Sequence, residues 1–408
     1  MSKTERVTRR GFLKSAGATA AAAVALPTFV KAETAGANDR ITMGCIGMGG
    51  QGRGDMGGFL GRREVHVLAV CDVVGKHRDM AKASVDGRYR NTDCAGCVDF
   101  REITRRDDIE AVLIATPDHW HALIGIDAMT HGKDVYCEKP ECLTIAEGRA
   151  MVRAARRYSR VFSGGSQRVW GDYNWYHRML WGGAIGEVTE GWVNVGGPSG
   201  QCLLPPVPTP ADTNWDLWLG PAPWRPYHPN LVRGGFRPYR DYSGGGMTDW
   251  GCHGFGGALF AMQLHNSGPV EVIPPDGQDV KRLTYIFPNG MKLYHGGGWG
   301  GLLSFSGTEG QAPSRDRSRR PTPPNVHIPN YKGRGGIFGD FLHCVRSRER
   351  PFRDIELAHK TAVVAHLGNI AYWLKRPLKW DAAREQIVGD PEANRWLDRE
   401  KREPWGLS

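Results

Sequence analysis

One short stretch, Ile41 to Gly52, constrains the fold of this chain more than any other. It reads Ile-Thr-Met-Gly-Cys-Ile-Gly-Met-Gly-Gly-Gln-Gly, an apolar run that ends in Gly47-x-Gly49-x-x-Gly52. In this spacing the first glycine permits a tight turn, the second lets the backbone approach a phosphate, and the third lets a helix pack on a strand. Because the chain contains 55 glycines, the spacing needs support from its surroundings. It predicts a strand that turns into a helix whose N-terminus holds a pyrophosphate.

That support comes from a second apolar run, Val65–Cys71. Asp72 follows it directly, 20 residues after Gly52. A carboxylate at this distance meets the hydroxyl groups of the adenosine ribose and repels a 2′-phosphate. The two features together predict a dinucleotide site for NAD, with NADP the less favoured cofactor. The alternative is a glycine-rich loop beside a strand-end aspartate, without a ligand. The predicted cofactor-binding residues here are Gly47, Met48, Gly49, Gly50, Gln51, Gly52 and Asp72.

Residues 1–32 have the composition of a targeting segment. Thr8-Arg-Arg-Gly-Phe-Leu-Lys14 resembles the twin-arginine export signal, Ala16–Val30 forms an Ala-rich apolar region, and Ala32 suits cleavage. We expect the twin-arginine machinery to export the folded protein, with its cofactor already bound, to the periplasm or the medium. A retained anchor is the alternative, but the apolar run is shorter than the roughly 18 residues of a membrane span, so no stable anchor is predicted.

The net charge excludes one class of partner. The full chain carries +10, but residues 1–32 hold six of its 53 Lys and Arg and one of its 43 acids, which leaves 47 basic and 42 acidic residues. This excess is small and dispersed, so nucleic acid is not a predicted partner. The one dense basic run, Arg315–Arg320, lies between prolines and is interpreted as a solvated loop.

The nine cysteines are scattered, and several lie within apolar runs, which is typical of buried free thiols. Cys94 and Cys97 form a lone Cys-x-x-Cys pair, and a second pair at zinc-ligand spacing is missing from the sequence. A disulfide or a chance spacing is therefore favoured over a metal site, and no metal is predicted.

The order of the apolar segments predicts two domains. Over residues 39–160, strands alternate with helices, which is typical of a doubly wound parallel sheet. The helix predicted for Thr144–Tyr158 opens with a capping box, Thr144 and Glu147. Residues 198–238 hold ten of the 26 prolines without periodicity and predict a long irregular lid, or wall of a pocket. Strand-like segments return later, and Pro288-Asn-Gly290 predicts a hairpin between two of them.

Several motifs resemble the Gfo/Idh/MocA oxidoreductase family, named for glucose-fructose oxidoreductase and inositol dehydrogenase, and in particular its secreted branch with twin-arginine signals. They run through nearly the whole chain after residue 40. They are Ala115–His121, Glu138-Lys-Pro140, Gly164–Arg168, Gly183–Glu187, Trp215–Pro223, Gly244–His253, His366–Tyr372, Leu378–Asp381 and Gly389–Asn394.

The resemblance completes the expected architecture. It implies an α/β Rossmann domain over residues 39–160, followed by an α+β domain over 161–380 with an open, mainly antiparallel sheet. The second domain serves substrate binding and oligomerisation, and a homo-oligomer is expected. Within it lie the lid at 198–238 and a basic, Pro-rich loop at 311–335, and residues 381–408 form a C-terminal extension.

Strand-end loops of a doubly wound sheet face one crevice. The loops 47–52, 72–75, 116–121 and 138–140 are therefore expected to meet there. The resemblance places the 116–121 loop beside the nicotinamide ribose, and for His119 and His121 we favour a packing role under the cofactor, with a substrate contact as the alternative. The cofactor-binding set is thereby extended to Thr116, Pro117, His121, Glu138, Lys139 and Gln167.

Three residues are the predicted catalytic groups. Lys139, at a strand end, can hydrogen-bond a substrate hydroxyl and stabilise the alkoxide as hydride leaves. Asp249 and His253 are four residues apart, which places them on one face of a helix. By resemblance, Asp249 orients substrate hydroxyls and His253 is the general base, a role for which imidazole is suited near neutral pH.

One departure leaves the reaction open. Many relatives have His-x-x-Asp where this chain has His253-Gly-Phe-Gly256, a pattern that resembles the NAD-dependent N-acetylgalactosaminidase branch. That branch oxidises a sugar transiently, eliminates the glycosidic substituent and returns the hydride, but it lacks the lysine present here as Lys139. The leading hypothesis is an NAD(P)-dependent sugar or polyol oxidoreductase. The alternatives are a redox-neutral glycosidase or lyase and a non-catalytic, nucleotide-dependent sugar-binding protein.

Overall fold

The first half of the chain folds around a parallel sheet. The computed structural model describes residues 39–313 and 322–407, so the predicted leader and the Arg315–Arg320 run lie outside the described residues. The elements of this half are β1 Ile41–Ile46, α1 Gly50–Leu60, β2 Val65–Cys71, α2 Gly75–Tyr89, β3 Ala95–Cys97, α3 Arg101–Thr104, β4 Ala111–Ile114, α4 Asp118–Thr130, β5 Asp134–Cys137, α5 Ile145–Arg157 and β6 Phe162–Gly164.

The six strands are all parallel, in the order β3-β2-β1-β4-β5-β6. The chain order reverses between β1 and β4, so the loops after these two strands leave the same edge of the sheet and open a crevice there. The predicted Rossmann domain is confirmed. Its last strand, β6, lies beyond the predicted boundary at residue 160, because Phe162–Gly164 pairs with β5 before the chain leaves the sheet.

The second half forms a larger sheet. Its elements are α6 Asn174–Trp181, β7 Val188–Val193, α7 Trp215–Leu219, α8 Gly246–Asp249, α9 Gly251–Ala261, β8 Glu271–Ile273, β9 Thr284–Ile286, β10 Lys292–His295, β11 Leu303–Gly307, β12 Gly310–Ala312, α10 Gly336–Ser347, α11 Ile355–Leu374, β13 Leu378–Asp381, β14 Gln386–Ile387 and α12 Pro391–Asn394. The strand order is β12-β11-β7-β10-β9-β8-β13-β14, and only the β7–β10 pair is parallel. The mainly antiparallel sheet is thus confirmed.

The two halves share helices. Phe338 and Phe341 of α10 pack against the aromatic rings of Phe59 and Tyr136 of the first half. Helix α11 packs against α5, whose capping box at Thr144 and Glu147 forms as predicted. The C-terminal residues, predicted as an extension after residue 380, continue the large sheet through β14.

The lid at 198–238 is mostly irregular, as predicted, but two short segments of it are helical. It contains the short helix α7 and a π-helical turn at Leu231–Gly235. Trp215 and Trp218 of α7 are buried in a small separate apolar core, formed mostly by other residues of the lid. The lid is anchored to the first half by Asn214 N to Val73 O at 2.8 Å and by Gly75 N to Asp212 O at 2.7 Å.

Gly220 holds the lid against the first half, and its replacement provides a test. It has φ +48°, and a Cβ built on it comes within 2.0 Å of the Trp120 ring. We expect Gly220→Ala to loosen the lid at a cost of about 1–3 kcal/mol, seen as a lower midpoint of unfolding and faster proteolysis within 198–238. Gly197→Ala is the matched control, because a Cβ there meets nothing within 4 Å. Equal behaviour of the two variants would contradict this packing.

Two further observations concern the part of the chain that the structure describes. None of its helices combines the length and apolar character needed to cross a bilayer. All nine cysteines are free thiols, and all except the half-buried Cys202 are buried, as predicted. Cys94 and Cys97 therefore do not form the disulfide that was one alternative for this pair.

Candidate active site

The glycine loop has the conformation that its sequence requires. Gly47 has φ +83°, and a Cβ there would come within 2.5 Å of Thr116 N, so the turn after β1 fits tightly against the loop after β4. A Cβ on Gly52 would lie 1.9 Å from Gly47 O, which is why α1 can begin this close to the strand. By contrast, Cβ atoms on Gly49 and Gly50 would meet nothing within 4 Å. The loop therefore presents bare backbone to an open space at the N-terminus of α1.

Asp72 is built into this loop. One carboxylate oxygen accepts from Met48 N at 2.7 Å and the other from Val74 N at 2.8 Å, and the side chain is buried. His77 Nδ1 lies 3.6 Å from the same carboxylate. Each carboxylate oxygen has a second lone pair, so Asp72 keeps acceptor capacity for ribose hydroxyls beyond its two backbone bonds.

These residues border a cavity of about 410 Å³. Seven of the predicted cofactor-binding residues line it, namely Gly47, Gly49, Gly50, Gln51, Asp72, Thr116 and Pro117. The opposite wall is the lid, which contributes Leu217, Trp218, Leu231, Val232, Arg233, Gly234, Phe236 and Arg237. The cavity is therefore enclosed between the first sheet's loops and a segment that lies more than 90 residues further along the chain.

The other predicted cofactor residues are not among those that line the cavity. They are Met48, Gly52, His121, Glu138, Lys139 and Gln167. Met48 and Gly52 are buried and shape the loop from behind. His121 lies between two strand-end loops, with its ring nitrogens 2.8 Å from Thr116 O and 2.7 Å from Pro140 O. Gln167 is exposed on a 3₁₀ turn, where its carbonyl accepts from the Tyr331 hydroxyl at 2.9 Å.

A charged cluster lies beside the cavity, where the predicted catalytic residues Lys139 and Asp249 meet. The third, His253, is close enough for the charge of Lys139 to lower its pKa. Lys139 Nζ donates to Asp249 Oδ1 at 2.5 Å, and Nε of Arg237, from the lid, lies 3.0 Å from the same oxygen. Burial alone lowers the pKa of Lys139, but the Asp249 carboxylate outweighs burial and leaves this pKa above its usual value. Burial raises the pKa of Asp249, yet Lys139 and Arg237 together hold it below its usual range. Near neutral pH the cluster is therefore a carboxylate between two cations.

His253 follows Asp249 across a junction between two short helices, α8 and α9. Burial, reinforced by the positive charges of Lys139 and Arg168, lowers the pKa of His253 to about 3. Its Nδ1 is buried and has no hydrogen-bond partner among the described residues. The imidazole is therefore neutral at physiological pH, which is the state that can accept a proton.

Asp118 is a site residue that sequence reasoning missed, although it lies within the quoted motif Ala115–His121. It is fully buried at the start of α4, and burial raises its pKa to about 7. The Ser243 hydroxyl and the positive charges of Arg237 and Lys139 oppose that rise. A second buried carboxyl, Asp55 on α1, also has its pKa raised by burial to about 7. Two carboxyl groups that interact electrostatically with Lys139 thus have pKa values near neutrality.

The variant Asp118→Asn tests the raised pKa of Asp118 through the pH dependence of stability. A carboxyl whose pKa is 3.8 when exposed and about 7 when folded binds its proton more tightly in the native state. The protonated Asp118 therefore stabilises the native state fully below about pH 4. This stabilisation falls as the pH rises, and it is lost once the pH passes about 7. We expect the stability of Asp118→Asn relative to wild type to increase from pH 4 to pH 7 in urea titrations.

The exposed Asp279 provides the control for Asp118→Asn, because Asp279→Asn removes the same charge from the surface. A stability difference between Asp118→Asn and wild type that stays constant from pH 4 to pH 7 would contradict the raised pKa.

His119 packs against the lid. His119 Nε2 lies 2.9 Å from Trp218 O, and burial lowers the pKa of His119 to about 3. A carbonyl can only accept, so Nε2 of the neutral ring carries the proton and donates it. Trp120 Nε1 donates to Leu217 O at 3.0 Å. The two side chains hold the lid over the cavity.

The site fits a nicotinamide dinucleotide on the geometry of this chain. The bare backbone at Gly49 and Gly50, the N-terminus of α1 and the Asp72 carboxylate supply the pyrophosphate and ribose contacts of such a cofactor. Within residues 39–313 and 322–407, no group of three or more His, Cys, Asp or Glu side chains has the arrangement of a metal site. The fold and the site define the class of NAD-binding oxidoreductases with a Rossmann domain.

The particular family follows from comparison with known domain families. Residues 41–166 match the family described as "Oxidoreductase family, NAD-binding Rossmann fold", and residues 190–407 match "Oxidoreductase family, C-terminal alpha/beta domain". The chain belongs to the Gfo/Idh/MocA oxidoreductase family, and NAD is its cofactor class. The predicted family, fold and cofactor are confirmed.

Individual relatives are more distant. An alpha-N-acetylgalactosaminidase from Shewanella oneidensis is 30% identical over 173 residues, which cover 36% of this chain and 37% of the relative. The chain thus matches little more than a third of the length of that curated relative. An aldose-aldose oxidoreductase from Caulobacter crescentus has a TM-score of 0.58 at 18% identity, covering 83% of this chain and 99% of the other. For a scyllo-inositol dehydrogenase from Lactobacillus casei with bound NAD(H) and scyllo-inositol, the TM-score is 0.57 at 16% identity, with coverage of 83% and 99%. These structures establish likeness of fold.

Proposed function

We propose that this protein transfers a hydride between the C–OH group of a sugar or polyol and tightly bound NAD. The observation that carries the proposal is the contact of Lys139 Nζ with Asp249 Oδ1 at 2.5 Å, beside the cavity that fits the cofactor. NAD bound in that cavity supplies the hydride acceptor for oxidation and, once reduced, the donor for the reverse reaction. The names of the aldose-aldose oxidoreductase and scyllo-inositol dehydrogenase that share the fold support a carbohydrate or polyol substrate.

Lys139 is the electrostatic group in this mechanism. Because the Asp249 carboxylate keeps the pKa of Lys139 above its usual value, the ammonium does not act as the base. It donates a hydrogen bond to the substrate hydroxyl oxygen and stabilises the negative charge that grows there as the C–H bond breaks. Asp249 fixes the ammonium in place and offers its remaining lone pairs to neighbouring hydroxyl groups.

His253 is the proton acceptor. Its imidazole is neutral near pH 7 because burial lowers its pKa to about 3, so a lone pair is available when the hydroxyl proton must leave. This low pKa also makes the ring a weak base, so the proton transfer depends on Lys139 stabilising the alkoxide. The proton moves to this ring, while the electron pair of the C–H bond leaves with the hydride. In the reverse reaction the same ring returns the proton to the alkoxide.

The test is turnover by the purified protein with its bound nucleotide. A panel of aldoses and inositols is added while the absorbance of reduced nicotinamide is followed. We expect one or more of them to reduce the bound cofactor, and a second sugar or a ketose to reoxidise it. A protein that holds NAD and leaves it oxidised with every sugar and polyol, over a broad pH range, would contradict the proposal.

A redox-neutral glycosidase is the second candidate. It is favoured by the alpha-N-acetylgalactosaminidase relative and by the sequence His253-Gly-Phe-Gly256. In this reaction the hydride leaves the sugar, the glycosidic substituent is eliminated, water adds, and the hydride returns. Aryl glycosides discriminate the two reactions. Release of the aglycone without lasting reduction of the cofactor identifies the glycosidase, whereas reduced cofactor that accumulates identifies the oxidoreductase.

We further propose that the protein is exported by the twin-arginine machinery after its cofactor has bound, and that it works as a homo-oligomer in the periplasm or the medium. The motif Thr8–Lys14 supports export, and enclosure of the cavity by the lid supports retention of the cofactor outside the cytoplasm. Cell fractionation and light scattering of the exported protein test these two points. Protein confined to the cytoplasm, or monomeric at all concentrations, would contradict them.

A further inference from the structure

The positive charges in the lining of the cofactor cavity come from the lid, in the second half of the chain. The first half of the chain contributes about two thirds of the lining residues, and none of these is Lys or Arg. Arg53 lies next to the glycine loop, but its guanidinium donates to Met48 O at 2.7 Å instead of facing the cavity. The two cations in the lining are Arg233 and Arg237, and both belong to the lid.

The two acidic residues of the lining, Asp72 and Asp99, both have hydrogen-bond or ion-pair partners within the protein. Both oxygens of Asp72 accept backbone N–H groups, and Asp99 is paired with Arg101 at 2.5 Å. Of the lid cations, Arg237 is paired with Asp249 at 3.0 Å. Arg233 is exposed, and within the described ranges it makes no ion pair or hydrogen bond through its guanidinium. Arg233 is thus a lid cation in the cavity lining that has no ion-pair partner among the described residues.

Local structure holds Arg233 in this position. It lies in the π-helical turn Leu231–Gly235, where Leu231 is fully buried and Gly234 adopts φ +93° so that the chain can turn back. The lid that carries this turn is fixed to the first half through Asn214, Gly75 and His119. The fold therefore holds the backbone of Arg233 at the cavity wall, and the exposed guanidinium is left available to a ligand.

We propose that Arg233 binds the diphosphate of the dinucleotide, so that the cofactor is held between the glycine loop and a lid arginine from the second half of the chain. A guanidinium matches the paired oxygens of a phosphate in a bidentate fork, and the glycine loop supplies only neutral N–H donors. Arg237, four residues on, joins the same wall to Asp249, so the segment that clamps the cofactor also touches the reaction centre. The inference rests on NAD binding and is independent of which sugar reacts.

The experiment measures ligand binding by the full chain freed of its nucleotide. Calorimetry compares NAD, ADP-ribose and adenosine for wild type and Arg233→Gln. We expect the variant to bind NAD and ADP-ribose about 10- to 100-fold more weakly, because a charge-assisted hydrogen bond is lost, and to bind adenosine within about twofold of wild type. Added salt should weaken NAD binding by wild type more than by the variant. Arg233→Lys, which keeps the charge, should recover part of the affinity.

Arg63→Gln is the matched control, since it removes one exposed arginine outside the cavity. Equal NAD affinity in Arg233→Gln and wild type would overturn the proposal. Equal weakening of adenosine and NAD would also overturn it, because that pattern indicates damage to the lid. A wild type that binds NAD but oxidises no sugar would count against the proposed function and leave the diphosphate contact standing.

Discussion

Replacing Lys139 by Met is expected to lower kcat by about 10²- to 10⁴-fold while NAD stays bound. The ammonium of Lys139 is the donor placed to stabilise the developing alkoxide, and Met replaces the unbranched stem of the side chain, without the terminal charge. The cofactor cavity does not include Lys139, so its walls are preserved. Asp249 still has Arg237 at 3.0 Å, and the carboxylate is therefore not left without a cation. Stopped-flow reduction of the bound cofactor measures the effect on the chemical step.

The exposed Lys379 on β13 provides the control for this prediction. Lys379→Met removes the same charge from the large sheet, away from the cavity, and should leave the rate unchanged. A Lys139→Met variant that reduces its cofactor at the wild-type rate would remove Lys139 from the mechanism. Loss of NAD from the variant would indicate that the lysine serves binding instead of chemistry.

Replacing Gly52 by Ala is expected to weaken NAD binding by about 10- to 100-fold. The new Cβ would lie 1.9 Å from Gly47 O and 3.1 Å from the end of Met48, so the glycine loop must move away from α1. Displacing packed backbone costs about 1–3 kcal/mol, and the loop that moves is the one that presents its N–H groups to the diphosphate. Equilibrium dialysis with labelled NAD measures the loss.

Gly54 on the same helix provides a matched control. A Cβ there meets nothing within 4 Å, and the residue is exposed. Gly54→Ala should bind NAD as wild type does and gain about 0.5–1 kcal/mol of stability from the better helix former. If Gly52→Ala and Gly54→Ala bind NAD equally well, the close contact between α1 and the loop does not control the cofactor site.

Much of the fold was predictable because local chemistry and tertiary structure agree. The strand at Val65–Cys71, the capping box of α5 and the turn at Pro288–Gly290 are each indicated by a local pattern of residues, and each forms as expected. The errors lie where long-range pairing decides. Strand β6 is three residues long and exists because β5 offers it an edge. Helix α7 is five residues long and is stabilised by aromatic packing within the lid.

The site divides in the same way. The glycine loop and Asp72 follow from spacing, and the contact between Lys139 and Asp249 joins two motifs that sequence reasoning had already singled out. Arg233 and Arg237 could not be found, because a Pro-rich segment without periodicity carries them back to the first sheet's crevice. Asp118 lay in a recognised motif, but its raised pKa comes from burial that only the folded chain creates.

The most direct test of the central claim is isotope transfer within one turnover. The protein with its bound NAD is mixed with a substrate deuterated at ring carbons, the reaction is quenched, and the released nucleotide is examined by mass spectrometry. Hydride transfer predicts one deuterium in the reduced nicotinamide. In the oxidoreductase reaction it accompanies an oxidised sugar product. In the glycosidase reaction it is found only when the quench traps the intermediate before the hydride returns. Conversion of the substrate without deuterium in the nucleotide at any quench time would contradict the account.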